Sequence, residues 1–256
     1  MIKETIPGAI IIYSCHKHKE TRLKEFGLSK KIYCGWKVFT IIGDPFLETE
    51  YTLDVSTNII LIKCEDSYIH ILKKVVLAIK VLMDIYTITE GILRCGDDIH
   101  FNEQKLEAFV ASINKPDFIG NVNNNSIAIS KISNTFMPDY FSSHPEDLVN
   151  PLNCIPYTVQ EMQQFNEIPS CSHVSGVIFY ISLKSCIILI SHMKSIEWDV
   201  FTHDNAYGYP YIIEDIGVGF ILNINKIYPL NYKLYTDYYQ EMQYTTAIGY
   251  HTNAYK

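Results

Sequence analysis

The sequence has no run of Lys or Arg, no Cys-x-x-Cys pair, no internal repeat and no apolar stretch long enough to span a bilayer. Without a basic stripe, and with a net charge of −7, the chain is not built to hold nucleic acid by its phosphates. Its seven cysteines, an odd number at positions 15, 34, 64, 95, 154, 171 and 186, fall in several cases inside apolar runs. They read as buried thiols of a reducing compartment. The opening "MIKETIPGAIIIYS" has a Lys and a brief apolar run but no small-residue cleavage pattern, so neither a leader nor a transmembrane segment is expected. A cytoplasmic or soluble intracellular setting is therefore expected. The heavy use of Ile, Asn, Lys and Tyr points to an A+T-rich genome or a virus.

What is present is enough apolar residue for a full core: 48% hydrophobic content in 256 residues, which we read as one domain. The first half alternates strand and helix. "AIIIYS" (9–14), "WKVFTIIGD" (36–44) and "NIILIKC" (58–64) read as strands, and "KHKETRLKEFGLS" (17–29) as a charged helix stopping near Gly27. From Ser67 to Tyr86, apolar residues Ile69, Leu72, Val76, Ile79 and Met83 recur at steps of three and four, predicting a helix capped by Asp66 or Ser67. "NEQKLEAFVASI" (102–113) predicts another, capped by Asn102, with Leu106, Phe109, Val110 and Ile113 on one side. Beyond residue 114 the pattern loosens into a Pro, Ser and Asn-rich reach from Ser133 to Ser172, relieved by "SGVIFYIS" (175–182), "IIEDIGVGFIL" (212–222) and a closing strand, "TTAIGYH".

Between the two predicted helices lies "EGILRCGDDIHFN" (90–102), a short apolar strand that ends in two adjacent carboxylates, Asp97 and Asp98. Alone, Gly-Asp-Asp is a solvated turn. Ligands of a largely parallel sheet, however, bind beyond the carboxyl ends of its strands, and the pair stands at such an end. A hard divalent ion with oxygen ligands would bridge such carboxylates to a diphosphate.

Four pieces in fixed order resemble the inverting β-1,3-glycosyltransferases, the family of the β-1,3-galactosyltransferases, β-1,3-N-acetylglucosaminyltransferases and fringe (glycosyltransferase family 31). They are Asp66-Ser67-Tyr68 with Lys74; Gly96-Asp97-Asp98 with His100 and Asn102; Ser175-Gly176 through Ser182; and Glu214-Asp215-Ile216 with Val218-Gly219, followed by a late His251. The likeness runs from about Ile11 to His251. Two departures stand out: Gly96 replaces the first family acid, and only Arg22 remains of an Arg-rich amino-terminal segment. The resemblance implies an α/β fold of the GT-A type, a nucleotide-sugar-binding domain with a mixed, largely parallel central sheet flanked by helices. Residues 1–113 would form its nucleotide-sugar-binding half and 114–256 its acceptor-side half.

The same resemblance implies a hexosyltransferase that moves a hexose or N-acetylhexosamine from a UDP-sugar to a glycan or glycoconjugate hydroxyl, in β-1,3 linkage. Asp215 would be the general base and Glu214 its orienting neighbour, although acids also simply stabilise a helix start. Arg22, Asp66, Lys74, Asp97 and Asp98 would face the donor, although a cap explains Asp66, a solvated helix lysine explains Lys74, and Arg22 could merely cover a helix face. Asp98 and His251 would hold Mn²⁺ (or Mg²⁺), manganese being favoured by the imidazole; His100, His192 and His203 align with no family ligand. The loop 197–211, with Trp198, Phe201, Tyr207, Tyr209 and Tyr211, suits a sugar ring, though an aromatic-rich loop is also common packing, and Trp198 is the expected acceptor-side residue. The competing reading is a non-catalytic sugar or nucleotide-sugar binding protein of the same fold. A metal-dependent phosphohydrolase would need more clustered Asp and His residues than this chain offers.

Overall fold

A computed structural model describes residues 3–25, 28–123, 139, 141–154, 171–200 and 210–252. Its centre is β1 (Glu4–Tyr13), a continuous apolar strand because both of its faces are covered. Ala9, Ile11 and Tyr13 belong to one buried cluster, and Ile10 and Ile12 to another on the opposite face. β3 (Trp36–Gly43) and β6 (Tyr86–Gly96) flank it in parallel. Their registers bring Ile41 and Gly96 level with Tyr13, so the carboxyl ends of the three strands open at one edge.

The sheet extends past β3 through β5 (Ile59–Ile62), parallel, to an antiparallel edge strand β4 (Tyr51–Asp54) that the sequence reading did not foresee; β2 (Ile32–Tyr33) also pairs with β3. Past β6 it continues antiparallel through β9 (His173–Ser182) and β8 (Phe118–Asn123), closing on the two-residue β10 (Leu230–Asn231). The nine strands form a mixed sheet, parallel at its centre and flanked by helices, and strands from both halves of the chain share it. A smaller sheet joins β7 (Ile99–Phe101), β11 (Tyr235–Thr236) and β12 (Gly249–His251), which carries the chain's last described histidine back beside the end of β6. "TTAIGYH" thus supplies a strand only in its final residues.

Among the described residues the predicted charged helix at 17–29 is not formed as one element. A 3-10 turn (His16–His18) and a single helical turn, α1 (Arg22–Glu25), replace it, because His16, His18 and Arg22 are pulled onto acids at the strand ends. The 67–86 helix begins later than expected, as α2 (Ile71–Ile85) behind a 3-10 turn at Tyr68–His70. Neither predicted cap caps it: Ser67 Oγ meets His70 Nδ1 at 2.6 Å, and Asp66 is committed to an ion pair. α3 (Glu103–Ala111) is capped as its sequence suggests, Asn102 accepting the Lys105 N–H at 3.1 Å, but Ile113 lies beyond the helix and is exposed. Four of the cysteines are buried and all seven are free, while Cys34 and Cys154 are exposed, contrary to expectation. Among the described residues no helix is long and apolar enough to cross a membrane.

After the one-turn α4 (Glu146–Val149), α5 (Leu183–Ser195) and α6 (Glu214–Ile224) join α2 over the face that carries Ile11 and Tyr13, and a short α7 (Tyr239–Tyr244) packs beside the small sheet. α6 sits tight on β9. A Cβ at Gly219 would stand 2.6 Å from the His173 Cβ and 2.8 Å from the Ser172 carbonyl oxygen. Gly219→Ala should therefore push α6 off the sheet and cost about 1–3 kcal/mol, outweighing the roughly 1 kcal/mol that alanine gains as a helix former. Urea unfolding monitored by circular dichroism measures the difference.

Candidate functional site

The carboxyl ends of β1 and β6 border a cleft of about 830 Å³. All of the expected site residues except Trp198 line it.

Asp97, buried just beyond β6, organises one wall. Its Oδ2 accepts from Ser14 Oγ at 2.7 Å and from His18 Nδ1 at 3.0 Å, and its Oδ1 from Arg22 Nη1 at 3.3 Å. Burial would raise this carboxyl, but the hydrogen bonds from His18 and Ser14 and the nearby positive charges hold it below the usual carboxylate range. The effect on the partner is larger: the Asp97 bond, with the Cys15 thiol assisting, raises His18 from 6.5 to about 9. His18 is thus a cation at neutral pH. The same Arg22 Nη1 reaches Asp98 Oδ2 at 3.5 Å, so one guanidinium spans both acids.

Asp66 and Lys74 form a buried ion pair at 2.8 Å, their side chains only 2% and 4% exposed. Asp66 also accepts from the backbone N–H groups of Gly43 and His16, and Lys74 also donates to the Ser14 carbonyl at 2.8 Å. Three strand ends are thereby tied together. The pair fixes the segment that carries Ser14, Cys15 and His18, and both Asp66 oxygens are used in doing so.

On the other wall, Arg94 of β6 forks onto Glu214 at the start of α6, Nε to Oε1 at 2.8 Å and Nη2 to Oε2 at 2.6 Å, with both side chains 6% exposed. Its third nitrogen donates to the Gly176 carbonyl on β9, and the guanidinium lies over the Tyr13 and Phe179 rings. Burial pushes Glu214 up to about 7 even against the pull of Arg94, and the neighbouring Asp215 adds to the rise. Asp215 is held beside it, its Oδ2 accepting the Gly176 N–H at 3.1 Å and its Oδ1 that of Ile216 at 2.9 Å. A side chain at Gly176 would put a Cβ 3.3 Å from Glu214 Oε2, so β9 approaches the two acids closely here because that residue has none.

Asp98 and His251 meet at 3.2 Å, Oδ2 to Nε2, where β12 returns beside β6. A carboxylate oxygen and an imidazole nitrogen converging at the cleft fit a divalent ion as two of its donors. Among the described residues no group of three His, Cys, Asp or Glu side chains completes such a set, and Gly96 supplies none. A third acid there would crowd the second, since a Cβ on Gly96 would lie 2.8 Å from Asp98 Oδ1. The remaining ligands would have to come from the substrate or water.

No protein-family model and no curated protein matches the chain. Among solved structures it is similar to mouse xyloside xylosyltransferase 1 in its apo form, at 8% identity over 99% of each chain, with a TM-score of 0.42.

Trp198 is not brought to the cleft. It follows the end of α5 with a positive φ of 62°, its N–H bonded to the Met193 carbonyl, and it packs against the core. Tyr211 of the same loop is buried against His192, while Phe201, His203, Tyr207 and Tyr209 lie outside the described residues. His100 stacks on Tyr250. The sequence reading missed His18, Ser14 and Arg94. For Arg94 a signal existed: a cation inside the apolar strand "ILRCG" needs a buried anionic partner.

Two consequences are measurable. Arg94→Met leaves Glu214 buried without a counter-charge and should cost about 3–5 kcal/mol, whereas the double change Arg94→Met/Glu214→Leu should recover most of that loss in urea unfolding. For His18, the folded value lies above the usual one. Its pairing therefore stabilises the fold fully below about pH 6.5, and the contribution is lost as pH rises toward 9. The melting temperature should fall between pH 6.5 and 9.5, and His18→Gln should flatten that fall.

Proposed function

We propose that this protein is an inverting glycosyltransferase of the GT-A type, moving a hexose or N-acetylhexosamine from a UDP-sugar to a hydroxyl of a glycan or glycoconjugate. The observation that supports it best is the meeting, in one cleft at the carboxyl ends of parallel strands, of the Asp97-Asp98 wall with the separately anchored carboxylate of Asp215. A β-1,3 linkage and a galactosyltransferase-like donor preference are what the motif resemblance adds.

In this reading Asp215 accepts the proton of the acceptor hydroxyl as its oxygen attacks the anomeric carbon. The bond to the diphosphate breaks on the opposite face, UDP leaves with the electron pair, and the configuration inverts. Gly176 N–H and the Arg94–Glu214 pair keep the Asp215 carboxylate aimed while the proton moves. Asp98 and His251 are the residues that would hold a divalent ion, Mn²⁺ in preference to Mg²⁺, and a bound ion would offset charge on the leaving diphosphate. Arg22 and His18 bring further positive charge to the same wall. Asp66 and Lys74 act through the loop they fix.

Asp215→Asn keeps the shape and, through its single acceptor oxygen, one of the contacts to the Gly176 and Ile216 N–H groups, but removes the basic oxygen. The turnover number at saturating donor and acceptor should fall about 10²–10⁴-fold while donor affinity, titrated separately, moves little. Activity within a few-fold of the parent would overturn the assignment of Asp215 and, with it, the inverting mechanism.

A further inference from the structure

We infer that Tyr68 is the platform on which the acceptor sugar packs, and that its ring brings the reacting hydroxyl within reach of Asp215. The inference rests on the transferase reading above and deepens it.

A sugar is polar at its edge and apolar on its C–H face, so a site for one pairs hydrogen-bonding groups with an open aromatic ring. Trp198, which the sequence points to for this role, packs against the core instead. Among the described residues that line the cleft, only Tyr13 and Tyr68 belong to the Phe, Tyr and Trp class. Tyr13 is 5% exposed, and the Arg94 guanidinium lies over its ring at 5.2 Å from the centroid, so that ring is closed to a substrate. Tyr68 is 37% exposed. It is the ring the cleft leaves open.

Its placement is rigid. Tyr68 opens the 3-10 turn Tyr68–His70, in which Ile69 and His70 are buried and Ser67 Oγ meets His70 Nδ1 at 2.6 Å. The turn is thus fixed on both sides of the residue it presents to the cleft. It packs against the Pro210–Ile212 turn, which leads directly into α6 and so to Glu214 and Asp215. The Tyr68 hydroxyl is held well above the ordinary tyrosine range, by burial first and then by the charges of Asp215 and Glu214. The hydroxyl end of the ring therefore lies toward the two acids, and the part left open is available to a substrate.

Charge divides the cleft between the two substrates. The Asp97-Asp98 wall carries Arg22 and His18, cations suited to a diphosphate. On the Tyr68 side the neighbouring acids are Glu214 and Asp215, and the guanidinium of Arg94 is already committed to Glu214. A neutral sugar fits beside those carboxylates where an anionic donor does not. Packing its C–H face on a fixed ring leaves its hydroxyls at the edge, where one of them can be aligned with the base.

The test measures acceptor-dependent UDP release by the parent and by Tyr68→Phe, Tyr68→Leu and Tyr68→Ala. The donors are UDP-galactose, UDP-glucose and UDP-N-acetylglucosamine, and the acceptors are the methyl β-glycosides of the same three sugars. UDP affinity is titrated separately by calorimetry, and circular dichroism checks folding. Tyr68→Ala and Tyr68→Leu should raise the acceptor KM roughly tenfold while kcat and UDP affinity move little. Leucine fills the space without a flat ring, and it keeps the test open if the alanine variant fails to fold. Tyr68→Phe keeps the ring and should stay within about twofold of the parent. An acceptor KM that stays at the parent's value in Tyr68→Ala or Tyr68→Leu, rises equally in Tyr68→Phe, or rises only with a matching loss of UDP affinity would overturn the inference while leaving the transferase reading intact. If the parent releases no UDP in an acceptor-dependent way, the transferase reading itself falls, and the inference with it.

Discussion

The ion pair between Arg94 and Glu214 is the contact through which the two walls of the cleft know each other's position. A guanidinium in the middle of an apolar strand is unfavourable unless every nitrogen is answered, and here the answer comes from residues more than eighty positions away in sequence: Glu214 on α6 and Gly176 on β9. Because β9 is paired with β6, and α6 packs on β9 through Gly219, three elements are fixed by one charge. The strand that delivers Asp97 and Asp98 is therefore rigidly referenced to the helix that delivers Asp215.

The opposite wall follows the same logic with different residues. Asp66 and Lys74 form a second buried pair, which ties the ends of β1, β3 and β5, and Asp97 gathers Ser14, His18 and Arg22 onto the end of β6. The chain has few basic residues and a net charge of −7, yet the cleft is not a field of bare carboxylates. Its acids are answered locally, by cations that its own strands and turns supply. An anionic substrate, such as the proposed donor, would be met here by a few placed charges rather than by a basic surface.

How much of this is legible in the sequence depends on the range of the interaction concerned. β1, β3, β6 and α3 are visible because their signals are local: apolar runs bounded by turn residues, and an asparagine placed to cap a helix. The Asp97-Asp98 pair is visible for the same reason, as an acid pair where an apolar pattern stops. For Arg94 the sequence signals only that a buried anionic partner is needed, not which one, because Glu214 lies 120 residues away and periodicity says nothing of pairing. Residues 17–29 mislead in the converse way. Their charges look like the solvated face of a helix, but His18 and Arg22 place theirs on Asp97, and the described residues form only short turns. Trp198 misleads because an aromatic beside polar residues reads equally well as a sugar platform and as core, and here it packs against the core.

The central claim is that the cleft transfers a sugar between two substrates, and the release of UDP from a panel of UDP-sugars, with and without glycan acceptors, tests it most directly. The account predicts that at least one UDP-sugar is turned over in an acceptor-dependent way. UDP release that ignores the acceptor would make the protein a hydrolase, and nucleotide-sugar binding with no release under any condition would make it a binding module; either result contradicts the account.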